Sequence, residues 1–176
     1  MRVMRSINSI IIHNSATKDG SVVDVQAIRR YHTSYAYQGN IIKKTDAMPL
    51  IEQGKTVKKP WADIGYHFLC EKVNDRYEIL VGRMWNIEGA HATGHNFNTI
   101  GVCAVGAFET EPPPAEQWQM LVKLCVVLAD QYSIKPENIK GHRELGAPKT
   151  CPGTMFDMNK FRADVAKGVI ACIAHS

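Results

Sequence analysis

The segment GHRELGAPKTCPG, residues 141–153, sets an imidazole (His142), an ammonium (Lys149) and a thiol (Cys151) in one short stretch. Its three glycines and two prolines disfavour both helix and strand, so these groups sit on a stiffened loop. Imidazole and thiolate together suit zinc, and a catalytic zinc keeps three protein ligands and leaves a fourth position for water or substrate. His142 and Cys151 supply two ligands from this loop, and a third must come from elsewhere. His13 is the best candidate, because it ends the apolar run Ile10–Ile12 and is followed at once by small polar residues that leave room for a ligand.

The remaining histidines divide by their surroundings. His91 and His95, in GAHATGHN, are four apart, as metal-binding histidines are on an HExxH helix, but flanking glycines oppose a helix and no glutamate lies between them. They read as cleft-lining or structural residues rather than ligands, and with Asn96 as candidate substrate contacts. Tyr66 and His67 are neighbours on an expected strand and must face opposite ways, so only one of them looks into a site at its end. The pattern alone does not choose between them. His32 and His175 carry no signal.

These groups need a scaffold. SINSIIIH reads as a first, buried strand ending at His13. Ser21 and Asp24 resemble a capping box, and Val22, Val25, Ile28, Tyr31 and Tyr35 then recur at near-helical spacing, giving a helix that stops by Gly39. Residues 40–60 are basic and aperiodic, an excursion rather than a core element. IGYHFLCEK and RYEILVGR read as strands joined by a turn at Asn74 and Asp75, and IGVCAVGAF as a central strand. After EPPP, Trp118, Leu121, Val122, Cys125, Leu128, Ala129 and Tyr132 mark one face of an amphipathic helix. NIKG reads as a short strand that delivers the chain into the loop at 141, and Asp157 as the cap of a last helix carrying Phe161, Val165 and Ile170. Strands interleaved with helices predict a single α/β domain, a central mixed β-sheet with helices on both faces and its chemistry at strand ends.

Composition bounds the rest. At 176 residues the chain fits one domain, large enough to bury roughly two thirds of its unfolded surface without a metal or disulfide for folding. Hydrophobic content of 45% and charged content of 22% are those of an ordinary globular protein. The net charge of +4 comes from scattered rather than striped basic residues, which argues against nucleic-acid binding. The short apolar run at Ile10–Ile12 is neither a signal-peptide core nor a membrane span, so synthesis and retention in the cytoplasm are expected unless another system releases the protein. Five cysteines without a CxxC pair fit a reducing compartment, with Cys70, Cys103 and Cys125 as small buried hydrophobes.

Four blocks, IIIHNSAT, DIGYHFLC, GRMWNIEGAHATGHNFNTIGVCAVGAFE and GHRELGAPKTCPG, occur in the order and with the character of the zinc-dependent N-acetylmuramoyl-L-alanine amidases, the family of phage lysozyme-amidases and peptidoglycan recognition proteins. The resemblance runs from about residue 8 to 156. It implies zinc held by His13, His142 and Cys151, with Tyr66 and Lys149 as catalytic helpers. It also implies hydrolysis of the amide between N-acetylmuramic acid and L-alanine in peptidoglycan, by a monomer released to the wall as an endolysin or delivered as a toxin. A related branch that recycles wall fragments uses aspartate as third ligand; Cys151 sets this chain apart from it. Residues 37–60 depart from the family's usual direct passage to the GYHF strand, which touches cleft shape and substrate preference. Contact with RNA polymerase is implied by analogy with some phage members only. Three other readings compete: a peptidoglycan-binding module that does not cut, a cysteine hydrolase with Cys151 as nucleophile and His142 as base, and a blue-copper site drawing on Met155. The first is set against the complete set of five site residues, and the last against the absence of a histidine between Cys151 and Met155.

Overall fold

The computed structural model describes residues 5–17, 25–146 and 150–173. Its frame is a five-stranded mixed sheet in the order β5-β4-β6-β1-β7. Strand β1 (Ser9–Asn14) runs parallel to both β6 (Thr99–Ala104) and β7 (Ile139–Gly141), β4 (Phe68–Val73) is parallel to β6, and β5 (Arg76–Val81) is antiparallel to β4. Strands covered on both faces must be apolar throughout, which is why Ile10, Ile11 and Ile12 form an unbroken run and are all but completely buried.

Alternation along the strands assigns the two faces. Ile10, Ile12, Phe68, Cys70, Ile100, Val102 and Ala104 pack against α3 (Ala115–Tyr132) and α4 (Met158–Ile173). Leu69 and Cys103 face the other way, onto Val25 and Ile28 of α1 (Val25–His32). By the same two-residue period His13 and Gly101 belong to the α1 face. Helix α1 is tied down at its first residue, whose backbone N–H donates to the buried carboxylate of Glu71 on β4 (3.0 Å).

Most expected elements are present, with shifted limits. The turn at Asn74, in the left-handed conformation, joins β4 to β5, and the Asp157 side chain accepts from the backbone N–H of Lys160 to cap α4. The amphipathic face of α3 includes Leu121, Cys125, Leu128 and Ala129, together with a buried polar residue, Gln117, whose amide donates to the carbonyls of Cys70 and Val105. On α4 Phe161 and Val165 are buried, but Ile170 is exposed, and Val169 continues the apolar face instead. The first helix is shorter than its periodicity suggested. It ends at His32, the Thr33 hydroxyl donates back to the Arg29 carbonyl, and Tyr35 enters a short strand opposite Ile42, with Ala36 also bridging to Lys58. Ser21, Val22 and Asp24, the expected start of that helix, lie outside the described residues.

Residues 40–60 are likewise more regular than an aperiodic excursion. β2 (Tyr35–Tyr37) and β3 (Asn40–Ile42) form a hairpin whose two turn residues, Gln38 and Gly39, both take positive φ, and α2 (Lys44–Glu52) follows. Strands of three residues are too short to show a period, and α2 buries only Ala47, so neither element leaves a pattern in the sequence. No helix among the described residues is long and apolar enough to cross a membrane.

Leu121 is completely buried where α3 meets the sheet. Truncation by Leu121→Ala is expected to lower unfolding free energy by about 2–5 kcal/mol, measured by denaturant titration, with the cleft chemistry retained in the folded fraction.

Candidate metal centre and cleft

Because β1 pairs with β7 in parallel, with Ile12 opposite Gly141, the next residues of the two strands, His13 and His142, emerge at the same sheet edge. Their rings lie 4.6 Å apart between centroids. Cys151 returns to that edge through a loop held at several points. The backbone N–H of Arg143 donates to the Cys151 carbonyl (2.8 Å), and its guanidinium donates to the carbonyls of Thr150 (3.1 Å) and Phe156 (2.7 Å). From the opposite side, Glu109 accepts from the Thr150 hydroxyl (2.6 Å) and the Thr154 backbone N–H (3.2 Å).

The result is a group of three donors, one atom each from His13, His142 and Cys151, all within 4.8 Å of one another. The Cys151 sulfur is 3.7 Å from His13 Nδ1 and receives the backbone N–H of Asn14 at 3.5 Å. A thiolate and an imidazole bound to one tetrahedral zinc at ordinary bond lengths stand about 3.6 Å apart, so the spacing of this pair fits that ion. Two neutral imidazoles and a thiolate would leave a divalent ion with one formal positive charge, suited to an oxyanion.

Around this group lies a cleft of about 1090 Å³. Tyr66 lines it with its ring 5.2 Å from that of His13, while His67 is not among the lining residues, its ring 5.5 Å from that of His91 and its Nδ1 accepting from the backbone N–H of Gly101 (2.9 Å). Both precede the regular part of β4, so strict alternation does not govern them; they differ in that Tyr66 lines the cleft and His67 does not. Burial, with the nearby Cys103 and Cys151 sulfurs, raises the Tyr66 phenol above its ordinary range, so it keeps its proton and acts as a donor at neutral pH. Lys149 lies outside the described residues.

The pair in GAHATGHN separates. His91 is buried in the cleft floor with Nδ1 3.1 Å from His13 Nε2, whereas the His95 side chain is exposed and its carbonyl accepts from the Thr99 hydroxyl (2.6 Å). Asn96 closes the loop, its side-chain oxygen accepting from the backbone N–H groups of His91 (2.8 Å) and Ala92 (2.9 Å). His91 therefore reaches the cleft, and neither His95 nor Asn96 is among the residues lining it. The His91 ring occupies space that Gly101 leaves open, since a Cβ there would stand 2.5 Å from the ring. Met155 lies in a separate depression beside Arg143 and Asp157, which removes the geometric basis for a blue-copper set.

A matching profile over residues 3–154 is that of the N-acetylmuramoyl-L-alanine amidases. The chain belongs to that family. It is 33% identical over 162 residues to the endolysin of Escherichia phage T7, covering 89% of this chain and 85% of that one. It is 37% identical over 98 residues to peptidoglycan-recognition protein SC2 of Drosophila melanogaster, covering 53% and 50%. Among solved structures, N-acetylmuramoyl-L-alanine amidase LysC from Clostridium intestinale URNW shares the fold with a TM-score of 0.66 at 23% identity, over 92% of this chain and 87% of that one. As a member of this amidase family the chain is an amide hydrolase whose group of two histidines and a cysteine can hold a metal ion.

One cleft residue of this amidase left no mark in its sequence. His32, at the end of α1, lines the cleft, with its ring 5.5 Å from that of Tyr66 and 4.5 Å from that of Trp61. The backbone N–H of Gly65 donates to its Nδ1 (3.1 Å), which leaves the proton on Nε2. Desolvation, then Lys58 and Arg83, lowers its pKa to about 4, and desolvation likewise holds His67 at about 4. A helix-terminal histidine is common in any sequence, and only the approach of Gly65 and Tyr66 gives this one its place.

Both rings are neutral in the folded protein and take up protons on unfolding below their ordinary value of 6.5, so the unfolded chain binds more protons there. Thermal stability is therefore expected to fall as pH drops from 6.5 towards 4, and to be insensitive to these groups above 6.5. His67→Asn should flatten that slope while lowering stability at pH 7.5, as read from melting temperatures; an unchanged slope would contradict it.

Proposed function

We propose that this chain hydrolyses the amide between the lactyl group of N-acetylmuramic acid and L-alanine in bacterial peptidoglycan, with zinc held by His13, His142 and Cys151. The convergence of those three donors beside an open cleft carries the reading. Family membership and the endolysin relatives support the bond cleaved. When bound, zinc supplies Lewis acidity, lowering the pKa of water towards about 7 and polarising the scissile carbonyl.

The chain's own residues do the rest. The parallel edge of β1 and β7 and the clamps of Arg143 and Glu109 hold the donors in place. Tyr66 presents a phenol proton to the oxygen on which negative charge develops, and Lys149 adds a cationic donor to the same oxygen. Trp61, Tyr31 and the hairpin residues Asn40 and Ile41 form the outer wall along which glycan or stem peptide lies. The protein works as a monomer on the wall after release by another system. The relatives among peptidoglycan recognition proteins favour a second reading, a module that binds the same polymer without cutting it.

Digestion of purified sacculi decides between them. Free stem peptides detected by mass analysis, lost on chelation and restored by zinc, are the expected result. Intact sacculi that still retain the protein would establish the binding module, cut sugar strands would reject the amidase, and activity that survives complete metal removal would favour Cys151 as a nucleophile. Tyr66→Phe is expected to lower kcat by about 10²- to 10³-fold with little change in zinc affinity, and Cys151→Ser to weaken zinc binding and activity together.

A further inference from the structure

His13 presents one ring nitrogen to Cys151 and the other to His91. Which of them carries the proton decides whether Nδ1 offers a lone pair to a metal, and the answer is set three residues away. The Thr99 hydroxyl has a single proton, and it lies 2.6 Å from the His95 carbonyl, a group that can only accept. With that proton committed, Thr99 Oγ1 turns lone pairs towards His91 Nε2, 3.4 Å away, so the ring proton of His91 belongs on Nε2. His91 Nδ1 is then a lone pair. It faces His13 Nε2 at 3.1 Å, where two nitrogens can share only one proton, which must be that of His13. The lone pair of the His13 ring is thereby on Nδ1, the atom 3.7 Å from the Cys151 sulfur.

We propose that the run from the His95 carbonyl through Thr99 and His91 fixes the tautomer of His13 and makes Nδ1 its metal-binding atom, with His91 and Thr99 as positioning residues. The run is held at both ends. Arg5 donates to the carbonyls of Thr99 (2.6 Å) and Asn96 (2.9 Å), and the Asn96 side chain holds the His91 backbone. Gly101 gives the His91 ring its space, and Thr99 is nearly fully buried, so water has little access to the hydroxyl that sets the direction. Partners of this kind, behind a ligating imidazole, typically change metal affinity by about 10- to 100-fold when removed.

The inference rests on the zinc reading above, and its test separates the two. In metal-free wild-type protein, ¹⁵N-resolved NMR of the imidazoles should show the proton on Nε2 in both His13 and His91. Competition for zinc against a chromophoric chelator should show Thr99→Val weakened about tenfold or more, and Thr99→Ser close to wild type. Valine nearly matches threonine in volume and suits a strand, and the wild-type spectrum decides the point even if that variant does not fold. A His13 or His91 proton on Nδ1, or a folded Thr99→Val that keeps wild-type zinc affinity, overturns the inference. Wild-type protein that fails to bind zinc at all overturns the zinc reading instead, and with it the claim about the metal-binding atom.

Discussion

Parallel pairing of β1 between β6 and β7 is the constraint on which the rest depends. β7 ends at Gly141 opposite Ile12, so His142, the first residue beyond β7, arrives beside His13, the next-to-last residue of β1. A slip of one position would turn the His13 side chain to the opposite face of the sheet, into the packing of α3 and α4. The run Ile10–Ile12 offers isoleucine to both faces and does not by itself fix the register; what resists a slip is the cost of placing the His13 imidazole in that apolar packing. The cost of burying an imidazole at the next position is offset by neighbours that are themselves polar: His91, His142 and the Cys151 sulfur.

The cleft floor is built from irregular backbone, and irregular backbone near a core needs partners for its carbonyls. Two guanidiniums provide them. Arg5 donates to the carbonyls of Trp85, Ile87, Asn96, Phe97 and Thr99, and Arg83 to those of Asp63, Ile64 and Glu88. Desolvation lowers the pKa of both, opposed by Glu88 for Arg5 and by Asp63 and Glu88 for Arg83, and such groups remain charged at neutral pH. Desolvation keeps the His67 and His91 rings neutral, and the positive charge of Arg5 and Arg83 adds to it; neutral is the state in which an imidazole can accept a hydrogen bond. The same residues thus fasten the loops and reinforce the neutral state that burial imposes on the floor.

The wall facing that floor has a different character. It comes from the exposed end of α1, the β2–β3 hairpin and Trp61, with Lys58 lying over the rings of Tyr31 and Trp61 and donating to the carbonyls of His32 and Ser34. Aromatic faces and a half-exposed isoleucine, Ile41, suit the apolar faces of sugars and short side chains better than they suit a charged polymer.

Hydrophobic period, turn residues and the spacing of ligand types were enough to give β1, the β4–β5 hairpin, β6, α3 and the α/β class, because each reports how a single element is buried. The set His13, His142 and Cys151 was legible for a related reason: strand ends and a rigid loop are where such groups can be held. What the chain could not state is which polar groups meet. His91, His95 and Asn96 look equivalent in GAHATGHN, yet one ring lies under His13, one residue serves through its carbonyl, and one clips a loop. His32 and Gln117 likewise gain their places from Gly65, Cys70 and Val105, far along the chain. A hydrogen bond has direction and a partner, and partners brought together by strand pairing across 30 to 140 residues leave no period for a sequence to show.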